Sequence, residues 1–233
     1  MNINAANPLL QPWTAPYGLP PFAAIRAEHF VPAFDEALRM HVAEVRAIAD
    51  SQDPASFDNT LAAFDRSGRA LARIEKVFFN LASSETSPAL QAVEREMSPR
   101  LAAHHSALYL DAALFARVDD VHRRRGELDL TSEQQKLLQR VHFDFERAGA
   151  RLSEPAKARH AAIVERVATL STRFAQNVLA DEAAYRLLLA DERDMAGLPE
   201  DLRAAAHEAA RERGEVAAGL ITLSRSLLVP FLT

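Results

Sequence analysis

Residues 30–48 read FVPAFDEALRMHVAEVRAI. Phe30, Phe34, Leu38, Val42, Val45 and Ile48 recur there at three- and four-residue steps, and those steps line one stripe of an α-helix. The same period continues on both sides of the next break. Phe57, Leu61, Phe64, Leu71, Ile74, Phe78 and Leu81 form a second stripe, with Gly68 lying inside it. A glycine at a helical position costs about 1 kcal/mol against alanine, so a close approach by another helix is the expected compensation. Leu90, Val93, Met97, Leu101, His104 and Leu108 make a third stripe, and Leu114, Phe115, Val118 and Val121 a shorter one ending near Gly126.

Farther along, Thr131 and Gln134 have the spacing of a capping box and place a helix start, with Leu138, Val141, Phe145 and Leu152 on its stripe. Gly149 reads as a kink or a stop before Ser153 and Pro155 open the next helix. Ile163, Val167, Leu170, Phe174 and Val178 mark that helix as a long one, about 40 Å if it runs from 153 to 180. No tandem repeat interrupts this order, so a solenoid is not expected. The fold class predicted is mainly α, a multi-helix bundle.

The two ends differ from this middle. Prolines 8, 12, 16, 20, 21 and 32 crowd the start, and proline fixes φ and removes a backbone donor. Residues 1–26 are therefore predicted to be an extended arm, held on the body by Leu9, Leu10, Trp13, Tyr17, Leu19 and Phe22. Residues 27–180 form the bundle. In 181–233, Ala184–Leu189 and Val216–Leu223 read as short strands around an alanine-rich helix, opened at Gly197-Leu198-Pro199 and closed by Gly214. This is a small α/β appendage. Its apolar last residues, 227–233, lead to the expectation that the structure continues past Thr233, since termini are usually exposed and polar.

Composition narrows the function classes. The 233 residues carry a formal net charge of -5, which argues against nucleic acid or an anionic membrane as partner. The basic run Arg123-Arg124-Arg125, beside Asp119, Asp120 and Glu127, reads as a solvated helix end. With no cysteine there is no disulfide, thiolate metal site or cysteine nucleophile. The first residues lack the basic and apolar regions of a secretory signal, and no apolar run reaches the length of a membrane span. A cytoplasmic location is the expectation.

Three constellations could carry metal chemistry. His207-Glu208-Ala209-Ala210-Arg211 begins like the HExxH zinc motif, but Arg211 stands where the second histidine must be and cannot ligate. His104 and His105, following Glu94 and Glu96, point about 100° apart on a helix, so one is expected on the buried stripe and the other at its edge. His142 and Glu146 stand at i and i+4, which suits an ion pair as well as two metal ligands, and the pair is the expectation. No GxSxG elbow, phosphate loop or dinucleotide fingerprint occurs, and seven glycines leave little material for one. No catalytic, cofactor-binding or metal residue is assigned in this chain.

Nine segments taken together resemble the zinc oligopeptidase family of thimet oligopeptidase, oligopeptidase A and peptidyl-dipeptidase. They are NPLL (7–10), LPPFAAIRAEHFVPAFDEAL (19–38), DPASFDNTLAAFDRSG (53–68) and VFFNLASSETSPALQAVEREMSPRLAAHHSALYLDAALFARV (77–118). LDLTSEQQKLL (128–138), FERAGARLSE (145–154), LSTRFAQNVLADEAAYRLLL (170–189), AGLPEDL (196–202) and LITLSRSLLVPFLT (220–233) complete the set. Their order matches the family's amino-terminal region over essentially the whole chain, and FNLASSETSPALQ with ALYLDAALFARV looks nearest to the bacterial peptidyl-dipeptidase branch.

The resemblance implies the amino-terminal lobe of a two-lobed helical metallopeptidase, one wall of a channel that admits short peptides. It also implies zinc in the full-length parent, bound by an HExxH helix and a later glutamate outside this chain. On that reading the chain alone is inactive, its partner is the missing catalytic domain, and exposed apolar surface invites self-association. The other reading is a stand-alone helical binding or scaffold protein derived from the family. An in-frame continuation beyond Thr233 carrying HExxH discriminates between the two.

Overall fold

The computed structural model describes residues 7–233. The reading of the first six residues lies outside that range. Packing divides the chain into two compact units, residues 1–172 and 173–233, each with its own core.

In the first unit, α1 (Phe30–Ala49) is the central element. A π-helical turn, Phe57–Ala62, opens from the Ser56 cap, whose Oγ accepts from the Asn59 N–H, and leads into α2 (Ala63–Arg66). Then follow α3 (Arg69–Ser84), α4 (Pro88–Tyr109), α5 (Ala112–Arg123) and α6 (Ser132–Arg147). Side-chain caps start three of them: Ser87 accepts from Leu90 N–H, Asp111 from Leu114 N–H, and Thr131 from Gln134 N–H. The Thr131–Gln134 pair forms the reciprocal box expected from the sequence. Gly149, at φ 97°, follows the end of α6, and α7 (Glu154–Ala184) begins soon after.

α1 serves two cores in succession. Its first half contributes Phe30, Phe34 and Ala37 to a cluster with Phe78 of α3 and Met97 of α4. Phe78 meets Phe30 and Phe34 edge-on, at ring-centroid distances of 5.0 and 5.5 Å. Its second half contributes Val45 and Ile48 to a cluster with Leu61, Leu114, Leu138 and Phe145. The arm reaches the first core through the fully buried Leu9, whose carbonyl accepts from Arg73 Nη2 at 2.9 Å. The Arg73 guanidinium also lies 4.5 Å from the centre of the Trp13 ring. Tyr17, Leu19 and Phe22, expected to hold the arm as well, are instead exposed.

Two further sequence expectations are corrected between these cores. The α1 stripe does not pass through Val42, which is 44% exposed; the half-buried residue there is His41. The second stripe is not one helix either. Gly68 adopts φ 67° and caps α3, breaking the run after Arg66. The close approach expected at Gly68 is present: a Cβ there would lie 2.7 Å from His41 Cε1. Positive φ is cheap only for glycine, and the ring fills the space a side chain would take.

The second unit is small. β1 (Leu187–Leu189) pairs antiparallel with β2 (Gly219–Ile221), Leu188 opposite Leu220, and α8 (Glu200–Glu212) lies between them in sequence. Leu189, Met195, Leu202, Ala206 and Ile221 form its core, joined by Leu227 of α9 (Arg225–Leu232). The architecture is thus a mainly-α bundle with a small α/β appendage, as the sequence pattern indicates.

Candidate functional site

One cluster of ionisable groups in the first unit lies where α5 meets α6. Asp119 and His122 stand one turn apart on α5, and His142 and Glu146 one turn apart on α6. Phe115 and Phe145, stacked at 5.8 Å in the second core, fix the two helices side by side. The two imidazoles then face each other, His122 on His142, at 3.8 Å and nearly parallel at 14°.

His142 is buried and donates from Nε2 to Asp119 Oδ1 at 2.9 Å. The expected partner, Glu146, lies farther away, 3.7 Å from Nδ1. Arg151, from the turn after α6, closes the ring by donating to Glu146 Oε1 at 2.7 Å and Asp119 Oδ1 at 2.9 Å. The cluster borders a cavity of about 620 Å³ that is also lined by Arg123, Arg125, Gln139 and Phe143.

The electrostatics follow from these contacts. Burial pushes the Asp119 carboxyl up, but the His142 hydrogen bond and the charges of Arg151 and His142 outweigh it and hold the group below its ordinary value. Glu146 is lowered mainly by its hydrogen bond from Arg151. His122 is lowered by burial first and by the neighbouring His142 and Arg125 charges second. Both carboxylates are therefore charged and engaged, and neither is a free general base. The basic run is more than a solvated helix end: Arg124 Nη2 donates to the Ala55 carbonyl at 2.6 Å as well as to Asp120.

His41 and His104 form a second grouping, between the two cores. Ser67 Oγ donates to the Phe64 carbonyl at 2.7 Å, so it accepts from His41 Nε2 at 3.2 Å. His41 Nδ1 is then the acceptor for His104 Nε2 at 3.0 Å. The His41 ring, with one nitrogen donating and the other accepting, is thus neutral. Burial, followed by the charges of His41 and His105, pushes His104 down to about 4. His105 is exposed and lies 3.7 Å from Glu75, so the sequence reading of one inward and one outward histidine holds. Glu96 is engaged by Arg100, which also binds Asp35.

The imitation of HExxH is an exposed helix face. Glu208 receives Arg211 Nη2 at 2.6 Å, and His207 lies 3.6 Å from Glu192. These residues do not fit a zinc ion, because the third required position is a cation already paired with the glutamate. Among the described residues, no group of three or more His, Asp or Glu side chains is arranged to hold a metal ion. No helix among them is long and apolar enough to cross a membrane. Sequence reasoning missed His122 and Asp119, although their i, i+3 spacing on one face of α5 is a readable signal. It also missed His41, whose spacing from His104 carries none.

Comparison with profiles of known families gives no match. Comparison with individual proteins does. The chain is 41% identical over 211 residues to a dipeptidyl carboxypeptidase of Salmonella typhimurium, covering 90% of this chain and 31% of that protein. It is 39% identical over 208 residues to the dipeptidyl carboxypeptidase of Escherichia coli, covering 89% of this chain and 30% of that protein. Oligopeptidase A of Salmonella typhimurium is 30% identical over 227 residues, 97% of this chain and 33% of that protein. The chain spans about a third of the length of the curated relatives it matches. Over that third, the chain is homologous to dipeptidyl carboxypeptidase and oligopeptidase A, the family that the nine segments resemble.

Proposed function

We propose that this chain is a non-catalytic part of a zinc-dependent oligopeptidase that hydrolyses short peptides, and that its bundle forms one wall of the substrate channel. The observation that carries this reading is the pattern of likeness. Identity of 41% extends over nine-tenths of the chain but under a third of the dipeptidyl carboxypeptidase. The physical rationale is exclusion. A wall of packed helices is stiff, and a narrow entrance between stiff walls rejects folded proteins before any bond is broken. Zinc and the water it activates belong, on this reading, to residues outside the chain, so no chemical step is assigned to the residues present.

The test has two arms. The purified chain is incubated with blocked short peptides, with and without a chelator, and its zinc content is measured after dialysis. The expectation is no cleavage and no stoichiometric zinc. Chelator-sensitive hydrolysis by the chain alone, or one tightly held zinc per chain, refutes the non-catalytic assignment. For the channel, a structure of a longer protein containing this chain should show residues 27–180 beside the cleft; helices remote from it refute the wall.

A further inference from the structure

The two cores of the first unit share no residue, and the layer between them is polar. α3 contributes only to the first core, α5 and α6 only to the second. α1 and α4 cross from one to the other, but residues 39–44 of α1 and 102–107 of α4 belong to neither cluster. The chain crosses a third time at the break between α2 and α3, where Ser67 is extended at ψ 161° and Gly68 turns left-handed at φ 67°. Pro99 removes one backbone donor from α4 between one and two turns before His104.

A short series of hydrogen bonds spans this layer. The Gly68 N–H donates to Glu44 Oε2 at 2.7 Å, His41 Nε2 to Ser67 Oγ at 3.2 Å, and His104 Nε2 to His41 Nδ1 at 3.0 Å. Each such bond nets less than the burial of one large apolar side chain, so the layer gives way before either core does.

The series is sensitive to protons. His41 gives one ring nitrogen to Ser67 and needs the other bare to receive His104. A proton on His41 Nδ1 turns that acceptor into a donor and sets two N–H groups against each other. Glu44 of α1 and Glu75 of α3 favour charge on the pair, and His105 of α4 opposes it. Burial opposes it more strongly than any of these, and both rings are held below the ordinary imidazole value.

We propose that this layer is a proton-sensitive joint: the two halves of the first unit bend about it as separate bodies, the neutral His41–His104 pair holds it closed, and protonation of the pair frees it. Both cores and every bond named lie inside the first unit, so the inference does not depend on the peptidase reading. Opening exposes both rings to water and returns them to their ordinary value of 6.5. As the pH falls below that value, the open form binds protons that the closed form refuses, and opening is favoured.

The chain contains no cysteine, so introduced pairs can carry spin labels at chosen positions. Lys76→Cys on α3 with Lys136→Cys on α6 reports across the joint, and Lys76→Cys with Ala92→Cys on α4 reports within the first half; all three positions are exposed. Double electron–electron resonance at pH 7.5 and pH 5 gives the two distance distributions. Across the joint a second distance population should grow at least about fivefold at the lower pH, while the distribution within the half stays as it was. Amide exchange of the unaltered chain gives an independent reading and decides the matter should a variant fail to fold. The Gly68 N–H, and the Ala72 N–H that donates to the Gly68 carbonyl at 2.9 Å, should lose protection at pH 5 by a similar factor. That loss should not respond to dilute urea, because bending exposes little surface. The Gln side chain of His104→Gln can still donate to His41 and does not titrate, so this variant should show less than about half the rise. An unchanging distance across the joint overturns the proposal. So does a matching change within the first half, or a urea-sensitive loss of protection at Gly68, since both mean unfolding and not bending. A full pH response in His104→Gln overturns it as well, because the proton then acts elsewhere.

Discussion

Replacing Gly68 with alanine should cost about 3 kcal/mol, and the figure divides into parts that can be measured separately. Gly68 sits at φ 67°, where an L-residue pays about 1 kcal/mol. The new Cβ would stand 2.7 to 2.9 Å from three atoms of the His41 ring, so the ring must leave its place. That motion breaks the His41–Ser67 and His104–His41 hydrogen bonds, each worth about 1 kcal/mol net. Urea unfolding gives the total. It is followed by far-ultraviolet circular dichroism and by fluorescence of Trp13, the single tryptophan, which belongs to the first unit. Gly18→Ala isolates the backbone part, because Gly18 has φ 66° and nothing within 4 Å of a built Cβ; it should cost only about 1 kcal/mol. In a His41→Ala background, Gly68→Ala should fall to the same value, because the obstructing ring is gone. If Gly68→Ala costs no more than Gly18→Ala, or costs the same with His41 removed, the close contact is not what selects glycine.

Three further outcomes follow. His104 is held near 4 against an ordinary 6.5, so between those values the unfolded chain binds a proton that the folded chain refuses. Stability should therefore fall as pH drops through 6.5 toward 4, by about 1 to 2 kcal/mol once the half-exposed ring is discounted for screening, and His104→Gln should flatten the titration. Phe78→Ala removes a fully buried ring from between Phe30 and Phe34 and should cost about 3 to 5 kcal/mol by urea unfolding. Asp119→Ala deprives buried His142 of its acceptor and Arg151 of one partner; a loss of about 1 to 3 kcal/mol is expected, and a neutral result refutes the cluster's structural role.

The sequence alone was sufficient for most of the helices, the Thr131–Gln134 cap and the family resemblance, because each of these is local or linear. The Thr131–Gln134 box, the strand–helix–strand order after α7 and the failure of Arg211 as a ligand all rest on neighbours within a few residues. What required tertiary structure is which side of a period meets the body. The same period that marks α1 as a helix cannot say that the chain turns His41, and not Val42, toward Gly68. That choice depends on Ser67, in the turn after α2, and His104 of α4 arriving from 26 and 63 residues away to engage the ring. His142 shows the same limit: Glu146 is its neighbour by helix geometry, but packing of α5 on α6 brings Asp119 closer. In α7 the stripe of Ile163, Val167, Leu170 and Phe174 established the helix correctly and left its environment open. Periodicity records that apolar side chains share a face, and only three-dimensional packing decides whether this chain covers that face or leaves it bare.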